Sequence, residues 1–459
     1  MKNKRLIGFI LGILVAVVIA VAPLEGLTRE GQLALAFTLM TVVWWALQVA
    51  QSGYVGGVFL LLCCLFKLAE PTTIFGAWTG STIWLIIGAY LIAGSVRSSG
   101  LGERISYAFI LRFVKGWRSI IVSIFALTFV LSLLIPHPWP RAFLIMSVMA
   151  VVIKASGMPK EDAVKVGFTV FAASVPVSLI FLTGDATINP LACSYATGET
   201  VSFVRWFVVM GPPAIIFSLL TMGLILVLFK PTAEVSINMT EIKASQAALG
   251  KMSEKEIRTA VWVCIAIVLW LTNGITGLDI GWITLGVALM MSMPLIGEIL
   301  TPADWSGVPV HVLVFLTSAM AIGKVGGATG MNAWIASTLL PATIPNNIIV
   351  LALFIGVIAM IIHMFMGSVI AVMGVAIPSI LAFTSAMGYN DLVVIGIVYL
   401  VVAGHYILPF HHLNMLVGQG EENGMYTQKE TIKMGVPLIP VVFVTVLIQV
   451  LWWNIIGLL

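Results

Sequence analysis

The chain has 459 residues, 60% of them hydrophobic and only 9% charged, with a mean hydropathy of +1.11. A water-soluble globule of this size needs a much more polar surface, which excludes a soluble enzyme or binding domain. The net charge of +4 sits in short basic segments between apolar runs, so it points to no nucleic-acid partner.

The apolar runs are mostly about 20 residues long, the length that crosses a hydrocarbon core of about 30 Å. This is the pattern of an all-α polytopic membrane protein. Residues 1–26 begin "MKNKRLIGFILGILVAVVIAVAP". The stretch resembles a signal peptide, but Pro23 suits cleavage poorly, so it reads as a retained first span. Cytoplasmic connections carry most Lys and Arg. Placing Lys2, Lys4 and Arg5 inside puts the N-terminus in the cytoplasm. Spans near 6–22, 33–50, 54–69 and 80–96 then return the chain to Arg97, Arg104, Arg112, Lys115 and Arg118.

The next block, 119–153, has basic flanks on both sides and contains "IPHPWPR" (135–141). Pro136, Pro138 and Pro140 divide it into two arms, a re-entrant hairpin entering from the cytoplasm. A broken helix over 164–195 is interrupted at "TGDATINP" (183–190), and a helix at 206–229 completes a first repeat, 27–229. Residues 230–258 form a charged cytoplasmic linker. The second repeat, 259–459, has spans near 259–273, 280–296 and 308–325. A hairpin on the external side follows at 347–386, broken around "HMFMGSV" (363–369). A broken helix at 391–419 is interrupted at "LPFHHLN" (408–414). The last helix, 435–457, leaves the C-terminus external. The sum is about 11 transmembrane helices and two hairpins. Of the 23 basic residues all are cytoplasmic except Arg29, Lys67, Arg205 and Lys324 outside and Arg141 at membrane depth. Cys63, Cys64, Cys193 and Cys264 have neither metal nor redox spacing and read as packing residues.

The halves echo each other at a nearly constant offset. "WTG" (78–80) matches "WSG" (305–307), "GSVRSSG" (94–100) matches "GKVGGATG" (323–330), and "MGPP" (210–213) matches "MGVP" (434–437). The number of crossings per half places the repeats in opposite orientation. Inverted repeats with broken helices are a transporter architecture, and non-helical backbone at membrane depth survives only against protein or a wet cavity. Two tips and two interruptions therefore mark the candidate site.

From "LTREGQLALAFTLMTVVWWAL" (27–47) onward the chain resembles the divalent anion/sodium symporter family of the ion transporter superfamily. "GSVRSSGLGERI" (94–105), "VSFVRWFVVMGPP" (201–213) and "KETIKMGVPL" (429–438) carry the resemblance. It implies di- or tricarboxylate transport, a homodimer, and an elevator motion of hairpins and broken helices against a scaffold. The family's Ser-Asn-Thr tip motifs fall here on Pro136–His137–Pro138, with Ala142 after them, and on Ser368–Val369–Ile370, with Ala371 and Pro378. Only Ser368 is retained. The family's interruptions correspond to Thr187–Pro190 and to the region of His411, His412 and Asn414. In the family these segments give oxygens to substrate and sodium. Most of those oxygens are missing here, and Arg141 adds a fixed charge, so sodium is not expected as the family uses it.

The candidate substrate residues are Arg141, His137, Asn189, Thr187, Ser368, His411, His412 and Asn414. Arg141 either pairs with Asp185 or binds a carboxylate, for which guanidinium is well shaped. Asn189, Asn414, Thr187 and Ser368 either bind substrate or satisfy unwound backbone. Gly184 and Gly367 serve backbone geometry, and Trp139 either covers the site or packs beneath the tip. Five of the six histidines gather at the breaks, His311 being the exception. Asp185, His363 and His405 are the candidates for coupling, since histidine titrates near neutrality. No metal site and no cofactor are expected. Neither is enzymatic activity, since no nucleophile–base motif is present. The expected function is a secondary carrier of small organic di- or trianions in the plasma membrane, most simply a sodium-independent exchanger. The alternatives are a proton- or sodium-coupled symporter and a cation/proton antiporter that titrates Asp185.

Overall fold

The computed structural model describes residues 2–197, 199–339, 347–366, 368–384, 387–408 and 411–459. Gly367 at the second tip and residues 409–410 of the second interruption lie outside the described residues. Helices and turns account for the described chain, with no strand among the described residues.

The first half contains α1 (Lys2–Val21), α2 (Arg29–Ala46), α3 (Ser52–Leu65), the single turns α4 (Pro71–Ile74) and α5 (Gly76–Thr79), and α6 (Thr82–Ser99). The basic connection that follows is itself helical, α7 (Leu101–Phe113). Gly100 at φ +86° turns the chain between α6 and α7, a backbone that favours glycine. The hairpin arms are α8 (Trp117–Leu134) and α9 (Pro138–Ser156). Next comes α10 (Lys160–Val177), a 3-10 turn (Leu182–Asp185), α11 (Ile188–Cys193) and α12 (Phe203–Leu228). The linker holds α13 (Met239–Ala248).

The second half runs through α14 (Glu254–Thr276), α15 (Ile280–Ser292), the short α16 (Pro302–Ser306), α17 (Val310–Ala328) and α18 (Met331–Leu339). The arms α19 (Ile348–Met366) and α20 (Val369–Thr384) precede α21 (Asp391–Gly404), α22 (Leu413–Val417) and α23 (Gln428–Ile455). Among the described residues, 8 helices are long and apolar enough to cross a membrane, and shorter apolar helices accompany them. The protein is an all-α polytopic membrane protein.

Helices α14 and α23 begin earlier than hydropathy alone places them. Each opens on a capping box, Ser253 with Glu256 and Thr427 with Glu430, so a polar first turn precedes the apolar stretch. In contrast α10 and α21 stop short of their expected ends. Pro176 lies in the last turn of α10, and His405 after α21 adopts extended backbone.

Packing repeats with the halves exchanged. The pair α3 on α17 corresponds to α15 on α6, and α11 on α21 corresponds to α22 on α10. Likewise α7 on α9 corresponds to α18 on α20, while α12 packs on its own counterpart α23. Both long scaffold pairs rely on glycine. A Cβ at Gly53 would lie 2.1 Å from the His311 carbonyl oxygen, and one at Gly88 would lie 2.8 Å from that of Thr284. In lipid, such close backbone approach is a main source of helix–helix affinity.

One clamp ties α7 to the linker and α14. Arg104 Nε and Nη2 meet Glu256 at 2.7 and 3.2 Å, and Nη1 donates to the Gly250 carbonyl at 3.0 Å. Glu256 is 5% exposed. Arg104→Ala strands a mostly buried carboxylate and the end of α13, a loss of about 2 kcal/mol. The expected result is a lower melting temperature in detergent with substrate affinity unchanged, read by thermal unfolding and by binding.

Candidate functional site

In the first half the hairpin tip closes on the interruption. The Ala186 N–H donates to the Pro136 carbonyl at 3.1 Å. His137 has extended backbone and caps α9, its Nδ1 accepting the Trp139 N–H at 3.3 Å. The proton of the neutral ring therefore sits on Nε2, which is 2.9 Å from the Tyr90 hydroxyl. Tyr90 comes from α6, so a scaffold residue reaches the tip. Trp139 packs edge-on against His137. Pro138 and Pro140 occupy the first turn of α9, where a missing N–H breaks no helical bond.

Arg141 is completely buried. Its Nη1 donates to the Ile135 carbonyl at 3.2 Å and the Gly184 carbonyl at 3.0 Å, and its Nη2 to the Ser178 hydroxyl at 2.7 Å. Nε has no hydrogen-bond partner among the described residues. Ile135 is the C-cap of α8 and Ser178 the C-cap of α10. The guanidinium thus lies where two helix C-termini converge, ends that carry partial negative charge. No ion pair between Arg141 and Asp185 forms among the described residues. The Asp185 carboxylate instead accepts the N–H groups of Thr187 at 2.9 Å and Ile188 at 3.1 Å, starting α11.

Asn189 is fully engaged. Its Nδ2 donates to the carbonyls of Ser178 and Phe181, each at 2.9 Å, and its Oδ1 accepts from the Tyr399 hydroxyl of α21. Asn414 also crosses between halves, its Nδ2 donating to the Phe171 carbonyl of α10 at 2.9 Å. Its buried Oδ1 has no partner among the described residues. Ser368 starts α20, its Oγ accepting the Ala371 N–H at 3.4 Å. It is the half-buried member of a set otherwise closed from solvent.

The second half brings three histidines together. Ring centroids of His363 and His411 lie 4.8 Å apart, His405 and His411 5.5 Å, and His363 and His405 5.7 Å. His363 Nε2 is 3.1 Å from the His411 carbonyl, which can only accept, so this nitrogen carries the proton. His411 Nδ1 accepts the N–H groups of Ile407 at 3.1 Å and Leu408 at 3.3 Å. His412 adjoins the cluster at the start of α22. His137 stays with Tyr90 in the other half. Among the described residues no group of three or more His, Cys, Asp or Glu side chains is placed to hold a metal ion.

Tyr90, Ser178 and Tyr399 are partners that sequence reasoning missed. Each lies inside an apolar run with no motif around it. The only available signal was a hydroxyl at membrane depth, which by itself names no partner.

Comparison with known proteins adds four findings. The family model described as the sodium:sulfate symporter transmembrane region matches residues 3–459. A "Membrane protein" of Cupriavidus necator is 22% identical over 453 residues, 92% of this chain and 87% of that protein. The chloroplastic dicarboxylate transporter 1 of Arabidopsis thaliana is 24% identical over 328 residues, 69% of this chain and 58% of that protein. Among solved structures, the Alcanivorax borkumensis YdaH transporter shares the fold, with a TM-score of 0.53 at 17% identity over 92% of this chain and 98% of that one.

Proposed function

The chain belongs to the family of the sodium:sulfate symporter transmembrane region, and from that premise we propose that it is a secondary carrier of small di- or tricarboxylates that works without sodium, as an exchanger. A dicarboxylate is the cargo named for the chloroplast relative.

The observation that carries the reading is the surroundings of Arg141. Sodium is a hard cation that needs several oxygens. Between the first tip and the first interruption, the carbonyls of Ile135 and Gly184 and the hydroxyl of Ser178 all accept from the guanidinium, while the Thr183 and Thr187 hydroxyls have no partner among the described residues. A tethered cation standing among the lone pairs of three of these oxygens supports the sodium-independent reading. A permanent buried charge also explains exchange. Without an anion opposite it, Arg141 hinders the return of the carrier, so one anion leaves only as another enters.

The moving unit comprises α8–α12 and α19–α23, held together by the Asn414–Phe171 and Tyr399–Asn189 bonds between the halves. It slides as an elevator against the remaining helices in a homodimer of the plasma membrane, with the N-terminus cytoplasmic and the C-terminus external. The antiporter reading loses support because the Asp185 carboxylate caps α11.

Counterflow tests the proposal. Proteoliposomes loaded with succinate and free of sodium are expected to take up labelled succinate as fast as with sodium present. Uptake that appears only with sodium overturns it.

A further inference from the structure

The two halves meet the same electrostatic problem, and they answer it with different side chains. In the first half, the C-terminal ends of α8 and α10 point at one spot, and Arg141 fills it with a fixed positive charge. In the second half the corresponding ends belong to α19 and α21. His363 lies in the last turn of α19, and His405 is the C-cap of α21. The partial negative charge of two helix ends therefore falls on imidazoles rather than on a guanidinium, and an imidazolium at a helix C-terminus is favoured by up to about 2 kcal/mol.

We infer that the His363–His405–His411 cluster is a proton-binding site, and that the carrier takes up one proton there each time it takes up its anion. This rests on the proposed carboxylate carrier and adds the coupled ion.

Three observations converge on it. His405 is completely buried, and neither of its ring nitrogens has a hydrogen-bond partner among the described residues. Leaving such groups unpaired costs about 1–3 kcal/mol each, so the arrangement is poised for a species that binds there. His363 commits Nε2–H to a carbonyl, so its bare Nδ1, which also lacks a partner among the described residues, is a second unengaged lone pair in the cluster beside that of His405. Finally, imidazole nitrogens suit a proton and suit sodium poorly.

Among the described residues no Asp or Glu forms an ion pair with the cluster. His411 and His412 are the titratable members of the second interruption. Helix α20 brings no Asp, Glu, Lys or Arg, and α11 brings only Cys193. Helix α10 carries Lys160, Glu161, Asp162 and Lys165 in its first two turns, and α23 carries Lys429, Glu430 and Lys433. Of these, Lys165 pairs with Asp162 and Glu161, and Lys433 lies over the Phe229 ring. The negative charge missing at the cluster arrives with the substrate. In the step itself, a proton from bulk water forms an N–H bond on His405 as the anion enters, and the same bond breaks when the anion leaves on the other side.

The experiment is proton uptake on binding. Purified carrier in weakly buffered, sodium-free detergent solution is mixed with succinate, and separately with malate, citrate and sulfate, while an indicator dye reads pH. The expected result is uptake approaching about one proton per carrier, with affinity strengthening up to about tenfold per pH unit on acidification. His405→Gln is expected to keep anion binding but lose the uptake and the pH dependence. Anion binding without proton uptake in the wild type overturns the proton site and leaves the carboxylate carrier standing. Uptake that persists in His405→Gln also overturns it. Failure of every anion to bind overturns the carrier reading and the proton site with it. Should His405→Gln not fold, wild-type calorimetry with succinate in Tris and in MOPS decides alone. Apparent enthalpies that differ with buffer ionisation enthalpy uphold the proposal, and equal ones overturn it.

Discussion

Arg141→Gln is expected to reduce sodium-free succinate counterflow by more than about 100-fold. The substitution leaves the carbonyls of Ile135 and Gly184 and the Ser178 hydroxyl without the group that joins tip to interruption. Each loss is worth about 1–3 kcal/mol, and 1.4 kcal/mol is tenfold in an equilibrium. Arg141→Lys keeps the charge but reaches fewer oxygens, so partial activity is expected. Arg141→Ala provides a second reading. It frees the three oxygens for another cation, so sodium is expected to raise its melting temperature while leaving the wild type unmoved. An Arg141→Gln carrier that exchanges succinate at the wild-type rate would sink the assignment of Arg141 as the tethered cation.

Asn189→Leu is expected to be the most damaging change to the fold of the site, at about 3–5 kcal/mol. Three buried groups lose their partner: the carbonyls of Ser178 and Phe181 and the Tyr399 hydroxyl. The carbonyl of Ser178 and its hydroxyl serve Asn189 and Arg141 respectively, so the two side chains hold one short turn from opposite sides. The prediction is loss of a monodisperse peak in size-exclusion chromatography and a lower melting temperature. If Asn189→Leu instead purifies with wild-type stability and only succinate affinity falls, Asn189 is a substrate ligand.

Much of the architecture was legible in the sequence because its causes are local. Apolar length sets the spans, and three prolines mark the division between α8 and α9. The turn falls at Ile135–His137, within the quoted "IPHPWPR". The expected interruptions, TGDATINP and LPFHHLN, overlap the gaps between α10 and α11 and between α21 and α22. Helix ends were less legible. A capping box or a proline moves a terminus by a turn without changing mean hydropathy, as at α10, α14 and α23. The helix α7 was hidden for a related reason: its charged residues read as a connection.

The candidate side chains were found, but their partners were not. Arg141 and Asp185 are the ionisable pair that charge counting brings together, yet each bonds elsewhere, the first to two carbonyls and the Ser178 hydroxyl and the second to backbone N–H groups. The five histidines at the breaks divide into one beside Tyr90 and a group around His411.

By itself, then, the sequence determined an all-α polytopic membrane protein and the family it resembles. Tertiary structure alone decided which groups bind one another within the site. The Asn189–Tyr399 bond spans 210 residues, Asn414–Phe171 spans 243, and Tyr90–His137 joins α6 to the turn between α8 and α9. The physical reason is one of range. Hydrophobic length and backbone breaking act over a few residues, whereas a buried donor finds its acceptor only through the packing of helices distant in sequence.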